Sequence, residues 1–264
     1  MKDFLSIIIP AYNEELRISS TLERLHNYLT ANSWEYEIIV VDDGSSDNTA
    51  AVVEKFSRKY ESIKLIRYPE NAGKGYAIRT GVLSSRGSLL LMCDADMSTP
   101  IEEIEKLLPF LREGYDIAIG SRALAESDLM VRQPWYRELM GRIFNIFVKI
   151  MVMKGLNDTQ CGFKLFNGDI SRRLFEKGFI DGFSFDVEGL FLAGKGGYKI
   201  KEVPIKWLNS PLSKVKIASD PLKMFLGLLK IRSYWIFGKY NADVKRVFTS
   251  QSYRHTLPHG HSRR

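Results

Sequence analysis

Residues 88–100 read SLLLMCDADMSTP, a short apolar run that ends in two acids separated by one residue. Ser88–Cys93 has the length and texture of a strand, and Thr99, Pro100, Glu102 and Glu103 form a helix start, with Thr99 as N-cap and Pro100 at the first helical position. The loop between them, Asp94 to Ser98, therefore lies past the carboxyl end of a strand, where open α/β sheets bind their ligands. Working outward, further short runs occur at Leu5–Ile9, Glu37–Val41, Ile63–Tyr68 and Tyr115–Ile119, with helical segments near 15–31, 48–60, 74–85 and 100–112. This alternation is that of βαβ units. It predicts an α/β fold with an open, mainly parallel sheet flanked by helices.

Beyond Arg122 the texture changes. Residues 123–138 read as a mobile loop carrying Arg132 and Arg137, and Leu139–Met153 is apolar except for a stripe of Arg142, Asn145 and Lys149. Strands are expected at Gly162–Phe166 and Ile200–Ile205, with a helix near 185–195 between them. A last helix over 222–237 starts from Asp220 as N-cap and Pro221. Its Lys223 and Lys230 lie opposite Phe225, Leu229, Trp235 and Ile236. The organisation is one domain over 1–240 and a polar, basic tail over 241–264.

Charge is unevenly spread along the 264 residues. Residues 195–264 hold 15 Lys/Arg against 3 Asp/Glu, which suits an anionic surface such as lipid headgroups or nucleic acid. Cys93 and Cys161 have no metal-type spacing and fit a reducing compartment. The chain enters a strand at once, so neither a signal peptide nor a spanning helix is expected. Its greasy stretches are broken by Lys or Arg and too short for a bilayer core of about 30 Å.

The residues just after the first strand narrow the chemistry. Pro10-Ala11-Tyr12-Asn13-Glu14 stands where a dinucleotide site needs a glycine-rich turn, which excludes a dehydrogenase of that type. Asn71-Ala72-Gly73-Lys74-Gly75 is not a Walker loop, but two glycines flanking a lysine at a helix start offer N–H groups and one positive charge to a phosphate; an ordinary turn is the competing reading. Asp94 and Asp96 are hard carboxylates that repel unless a divalent cation joins them, and Mg²⁺ or Mn²⁺ held together with substrate phosphates suits such a pair. Asp42-Asp43-Gly44-Ser45 brings a second acidic loop to the same sheet edge.

The ordered strings Ile8 to Glu14, Val40 to Asp47, Asn71 to Gly75 and Asp94-Ala95-Asp96 resemble family 2 inverting glycosyltransferases of the Rossmann-like GT-A fold. Gly120-Ser121-Arg122, Asp158 to Phe166 and Phe185-Asp186-Val187-Glu188 resemble, more narrowly, the dolichyl-phosphate β-glucosyltransferases and their polyprenyl-phosphate relatives. The resemblance implies a nucleotide-sugar site built from Pro10, Ala11, Tyr12, Glu14, Asp42, Lys74, Asp94, Ala95 and Asp96. Asp94 and Asp96 are then the metal ligands, Arg122 and Arg137 face the acceptor phosphate, and Asp158 and Gln160 shape the pocket. It also implies that the helices near 139–153 and 222–237 lie at a membrane interface, although a buried core helix competes for the first. Relatives carry spanning helices at one end or the other; this chain is expected to attach peripherally at the cytoplasmic face.

The activity implied is inverting transfer of glucose from UDP-glucose to a dolichyl or undecaprenyl phosphate, with Asp94, Asp96, Arg122 and Asp186 as catalytic candidates. A phosphate acceptor needs no strong base, since its second pKa is about 6; an alcohol would need one, and Asp186 is then the candidate, unless it only orients the following helix. The alternatives are a GDP-mannose donor, a soluble glycan acceptor, or a nucleic-acid-binding module gripping with the basic C-terminal quarter. A homo-oligomer is compatible with all of these, and no nucleic acid is expected as partner of the enzyme.

Overall fold

A computed structural model describes residues 3–131, 135–208 and 220–240, with the side chains of 131 and 135–137 outside the description. The order is β1 (Phe4–Ala11), α1 (Ile18–Ala31), β2 (Glu35–Asp43), α2 (Thr49–Lys59), β3 (Ile63–Tyr68), α3 (Lys74–Ser84) and β4 (Leu89–Met92). A single 3₁₀ turn (Ile101–Glu103) leads into α4 (Ile104–Arg112), then β5 (Ile117–Ser121), β6 (Asp128–Val131) and α5 (Trp135–Met151). The chain continues through β7 (Lys164–Asn167), α6 (Gly168–Glu176), α7 (Phe185–Lys195), β8 (Ile200–Pro204), β9 (Lys206–Leu208) and α8 (Asp220–Ile236).

Seven strands form one sheet in the order β3-β2-β1-β4-β7-β5-β8, and the expected open α/β architecture stands. All its pairings are parallel except those of β7, which runs against both β4 and β5. Alternation along β1 sorts the core into two layers. Leu5, Ile7 and Ile9 pack with Leu22 of α1, Val53 of α2 and Leu107 of α4, whereas Ile8 packs with Ile78 of α3, Val148 of α5, Leu190 of α7 and Ile231 of α8.

Some boundaries differ from the sequence reading. Pro100, at φ −57° and ψ 144°, takes the N-cap position in place of Thr99 and stands ahead of the first turn rather than within it, and the helix opens as a 3₁₀ turn. Residues 123–138 are not one loop: β6 pairs with β9, and α5 already begins at Trp135. A strand of four residues whose partner lies far along the chain leaves no periodic trace. Arg132, and the tail beyond 240, lie outside the described residues. α8 includes Asp220 in its first turn, a shift of one position. α5 joins both readings offered for it: Phe144 and Val148 are buried, while Leu139, Ile143, Ile146 and Ile150 are exposed.

The seating of α3 positions the site, because Lys74 opens that helix. A Cβ on Gly81 would stand 2.4 Å from Ile8 Cγ2 and 3.1 Å from Val41 Cγ2, so the helix touches the sheet only because this side chain is missing. Gly81→Ala is expected to cost about 1–3 kcal/mol through overpacking. Chemical denaturation should show this as a lower midpoint with an unchanged slope.

Candidate active site

Every parallel strand delivers its carboxyl end to one edge, and β7, being antiparallel, delivers its beginning there. Lys164, its first residue, pairs in register with Met92 of β4 and Ile119 of β5. The loop before it, which carries Asp158 and Gln160, thus meets the Asp94–Ser98 loop and the end of β5. A cleft of about 860 Å³ opens among them, and Lys74, Asp94, Asp96, Arg122, Asp158, Gln160 and Asp186 all line it.

Three ion pairs build its wall. Lys74 Nζ lies 2.7 Å from Asp94 Oδ1, Arg122 donates to both oxygens of Asp158 at 2.7 and 2.9 Å, and Lys164 Nζ lies 2.5 Å from Asp186 Oδ1. Burial opposes the charge on Lys74, but Asp94, Asp186 and Asp96 around it lift it above the ordinary lysine range. Burial likewise works against the Asp94 carboxylate, and Lys74 outweighs it, holding the group low. Asp158 is held low against burial in the same way by Arg122. For Asp186 burial wins over Lys164 and Lys74, and its carboxyl sits above the usual range.

Asp96 is placed by a tight turn. Its Oδ1 accepts from Ser98 N and Oγ at 3.0 and 2.9 Å, and its Oδ2 lies 3.7 Å from Arg17 Nη1. Met97 adopts φ 47°, a left-handed conformation that costs a side-chain-bearing residue energy and that closes the turn after the acids. Gly162 faces Asp94; a Cβ there would come within 2.1 Å of Asp94 Oδ2. The donor set on this wall, two carboxylates without histidine or thiolate, is that of a hard divalent cation completing its shell with phosphate oxygens rather than of an all-protein cage.

Of the remaining nucleotide-site candidates, Pro10, Ala11, Tyr12, Glu14 and Asp42 stand at the neighbouring ends of β1 and β2 and Ala95 follows β4, all outside the cleft lining. Tyr12 is exposed, Ala11 is buried, and Ala95 sits in the core with its carbonyl accepting from Thr21 Oγ1 at 2.7 Å. Pro10 pairs in register with Val41. The Glu14 carboxylate is held by Arg17 at 2.7 Å through both oxygens. Asp42 is fully buried: Oδ1 accepts from Ser45 N at 3.1 Å, while Oδ2 makes no hydrogen bond and has Arg67 Nε at 3.4 Å. Asp43 is structural, accepting from Ala72 N at 2.7 Å and Gly73 N at 2.9 Å and so shaping the glycine loop. Arg137 falls in α5 with its side chain outside the description; the described arginine of that helix lining the cleft is Arg142, which donates to Glu138 at 2.6 Å.

Lys164 and Arg17 are functional candidates that the sequence reading passed over. The signal for Lys164 was present, a lone cation within Gly162–Phe166, but its burial to 1% exposure is known only from the fold. Cys161 is buried, its thiol pushed up to about 11 by burial, and it has no chemistry to offer here.

A sequence model of glycosyl transferase family 2 matches residues 6–175. Dolichyl-phosphate beta-glucosyltransferase of Dictyostelium discoideum is 38% identical over 247 residues, covering 89% of this chain and 76% of that protein. The Homo sapiens protein of the same name is 36% identical, covering 92% and 79%. Among solved structures, glucosyl-3-phosphoglycerate synthase from Mycobacterium tuberculosis in complex with UDP superposes with a TM-score of 0.65 at 18% identity, over 88% of this chain and 80% of that one. The same enzyme has been solved with Mn²⁺ and UDP-glucose. Mannosyl-3-phosphoglycerate synthase from Rubrobacter xylanophilus superposes with a TM-score of 0.64 at 19% identity, over 97% and 77%. At these identities the structures establish the fold.

The Lys164–Asp186 pair can be tested as a unit. Lys164→Met should cost about 3–5 kcal/mol, because it strands a buried carboxylate, whereas Lys164→Met with Asp186→Leu should regain most of that stability. Thermal or chemical unfolding of both variants measures this. A loss below about 1 kcal/mol in the single variant would mean that water solvates Asp186 through the cleft.

Proposed function

We propose, since this chain belongs to glycosyl transferase family 2 and to its dolichyl-phosphate β-glucosyltransferase branch, that it transfers glucose from UDP-glucose to a polyprenyl phosphate of the dolichyl or undecaprenyl type, with inversion at the anomeric carbon. The observation that carries this reading is the charge layout of one cleft. Lys74, Asp94 and Asp96 line it together with Arg122 and Arg142, and the same cavity is lined by Met140, Phe144 and Met224 of the two helices with exposed apolar faces.

Asp96 and Asp94 would hold Mg²⁺ or Mn²⁺, and the ion when bound supplies positive charge against the leaving nucleoside diphosphate. Lys74 adds its own charge to the diphosphate. Asp42, whose Oδ2 has Arg67 Nε at 3.4 Å, is assigned to the nucleotide end of the site on the family resemblance, with Tyr12 and Pro10 flanking that end. Arg122 commits Nε and Nη2 to Asp158 and keeps Nη1 for the acceptor phosphate, with its guanidinium carbon 5.6 Å from the centroid of the Trp207 ring. Arg142, and Arg137 from the same helix, are the further cations proposed for that phosphate.

In the reaction a phosphate oxygen attacks the anomeric carbon from the face opposite the diphosphate. The new bond joins that oxygen to the sugar while the bond from sugar to diphosphate breaks, its electron pair leaving with the nucleotide. The acceptor is largely a dianion at neutral pH, so no base is required. Asp186, anchored by Lys164, is read as an acceptor for sugar hydroxyls, and Asp158 and Gln160 as pocket walls.

Among the described residues no helix is long and apolar enough to cross a membrane. Leu139, Ile143, Ile146 and Ile150 of α5, with Leu222, Leu226 and Leu229 of α8, nevertheless present exposed apolar rows, and the two helices touch through Phe147 and Phe225 at 5.2 Å between ring centroids. This paired surface, with Lys223 and Lys230 beside it, supports peripheral seating on a membrane; the cytoplasmic face is the side proposed.

Transfer of labelled sugar to a short polyprenyl phosphate in detergent, from UDP-glucose and separately from GDP-mannose, tests the reaction. UDP-glucose should yield a chelator-sensitive lipid product, and Asp96→Ala should lower kcat by about 10²–10³-fold. Product from GDP-mannose alone would reassign the donor, and product only on a soluble glycan would reassign the acceptor. Ile146→Glu and Leu226→Glu should each weaken binding to anionic vesicles by roughly tenfold in a sedimentation assay. Unchanged vesicle binding would remove these rows from the membrane.

A further inference from the structure

Glu188 belongs to the string Phe185–Glu188, yet it is 2% exposed and does not line the cleft. Its carboxylate is a hub. Oε1 and Oε2 accept from Phe179 N at 2.9 and 3.0 Å, Oε2 accepts from Ile180 N at 3.0 Å, and Oε1 accepts from the Tyr240 hydroxyl at 2.6 Å. The segment between α6 and α7 thus hangs from one buried acid.

The other side of that segment carries the glycine loop. Asp181 O accepts from Gly75 N at 2.7 Å, and Arg79 of α3 reaches back to Gly178 O at 3.0 Å and to Asp181 Oδ1 at 2.5 Å. The fit is closed: a Cβ on Gly73 would lie 2.4 Å from Asp181 O, and one on Gly75 would lie 2.3 Å from Ile180 O. Lys74 lies between these two glycines, so a small displacement of residues 179–181 moves the ammonium relative to Asp94. Tyr240 comes from the turn after α8, is itself buried, and packs against Phe179 at 5.6 Å and Tyr234 at 6.0 Å between centroids.

We propose that Glu188 is a positioning residue for the donor diphosphate, acting through Phe179–Asp181 on the Gly73–Gly75 loop and Lys74, and that Tyr240 ties this support to the seating of α8. The proposal rests on the reading of Lys74 as a diphosphate contact. Donor affinity then depends on a hydroxyl contributed from beyond the membrane-facing helix, although that hydroxyl touches no substrate. A loop packed this closely transmits displacement instead of absorbing it.

Calorimetric binding of UDP with Mn²⁺ to the full-length chain, in detergent and without acceptor, is the test. Tyr240→Phe keeps the ring and removes one hydrogen bond to a charged group, and should weaken UDP by about 3- to 10-fold; Glu188→Gln should weaken it by about tenfold or more. In the transfer assay the donor KM should rise correspondingly, with the acceptor KM within about twofold of the parent. Unchanged UDP affinity in Tyr240→Phe, with or without a lower Tm, overturns the proposal and leaves the clasp as fold support. A parent protein that binds neither UDP nor UDP-glucose overturns the functional reading and this inference with it.

Discussion

One strand runs the wrong way, and the site depends on it. β7 is hydrogen-bonded between β4 and β5 and opposes both, so its beginning lies where its neighbours end. Without that reversal, Asp158, Gln160 and Lys164 would sit at the far edge of the sheet, roughly 13 Å away for a strand of this length at about 3.3 Å per residue. The reversal brings the partner of Arg122 and the partner of Asp186 to the edge that already carries Asp94 and Asp96. The cleft is assembled from both ends of the chain's long middle section in a single geometric step.

The chemistry of that edge runs against stability. Lys74–Asp94, Arg122–Asp158 and Lys164–Asp186 are charges taken wholly or partly out of water, and pairs of this kind are matched or bettered by apolar residues of similar volume. Asp186 shows the cost directly, since burial raises its carboxyl in spite of two nearby lysines. The left-handed Met97 adds backbone strain in the same loop. On the proposed reading, a donor diphosphate and an acceptor phosphate would bring several negative charges into this space, and a wall of fixed, mutually held cations would meet them without reorganising.

The helices divide their labour by layer. α1, α2 and α4 complete a conventional core on one side, while α3, α5, α6, α7 and α8 share the other. On that second side α5 and α8 bury one flank against the sheet layer and leave another apolar flank exposed, so the same helices close the core, line the cleft and present the apolar rows proposed to meet a membrane. The Glu188 clasp lies within this layer and links the turn after α8 to the glycine loop.

The sequence by itself determined the alternating strands and helices, the acidic edge after β4, the glycine loop at the head of α3 and the family strings. Each of these is written in local periodicity or in side-chain chemistry over a few neighbouring residues; Ile63–Tyr68 was legible to the residue, and the helix expected near 185–195 is Phe185–Lys195. Tertiary structure alone decided the direction of β7, the pairing of β6 with β9, the burial of Lys164, the engagement of Glu14 by Arg17, and the separation of Asp42 from the main cleft. It also decided that Asp43 holds the glycine loop, through Ala72 N and Gly73 N. The physical reason is separation along the chain: Arg122 meets Asp158 36 residues on, Lys164 meets Asp186 after 22, and Tyr240 reaches back 52 residues to Glu188. Such contacts are chosen by packing and by the need to satisfy buried charge, which no local pattern records.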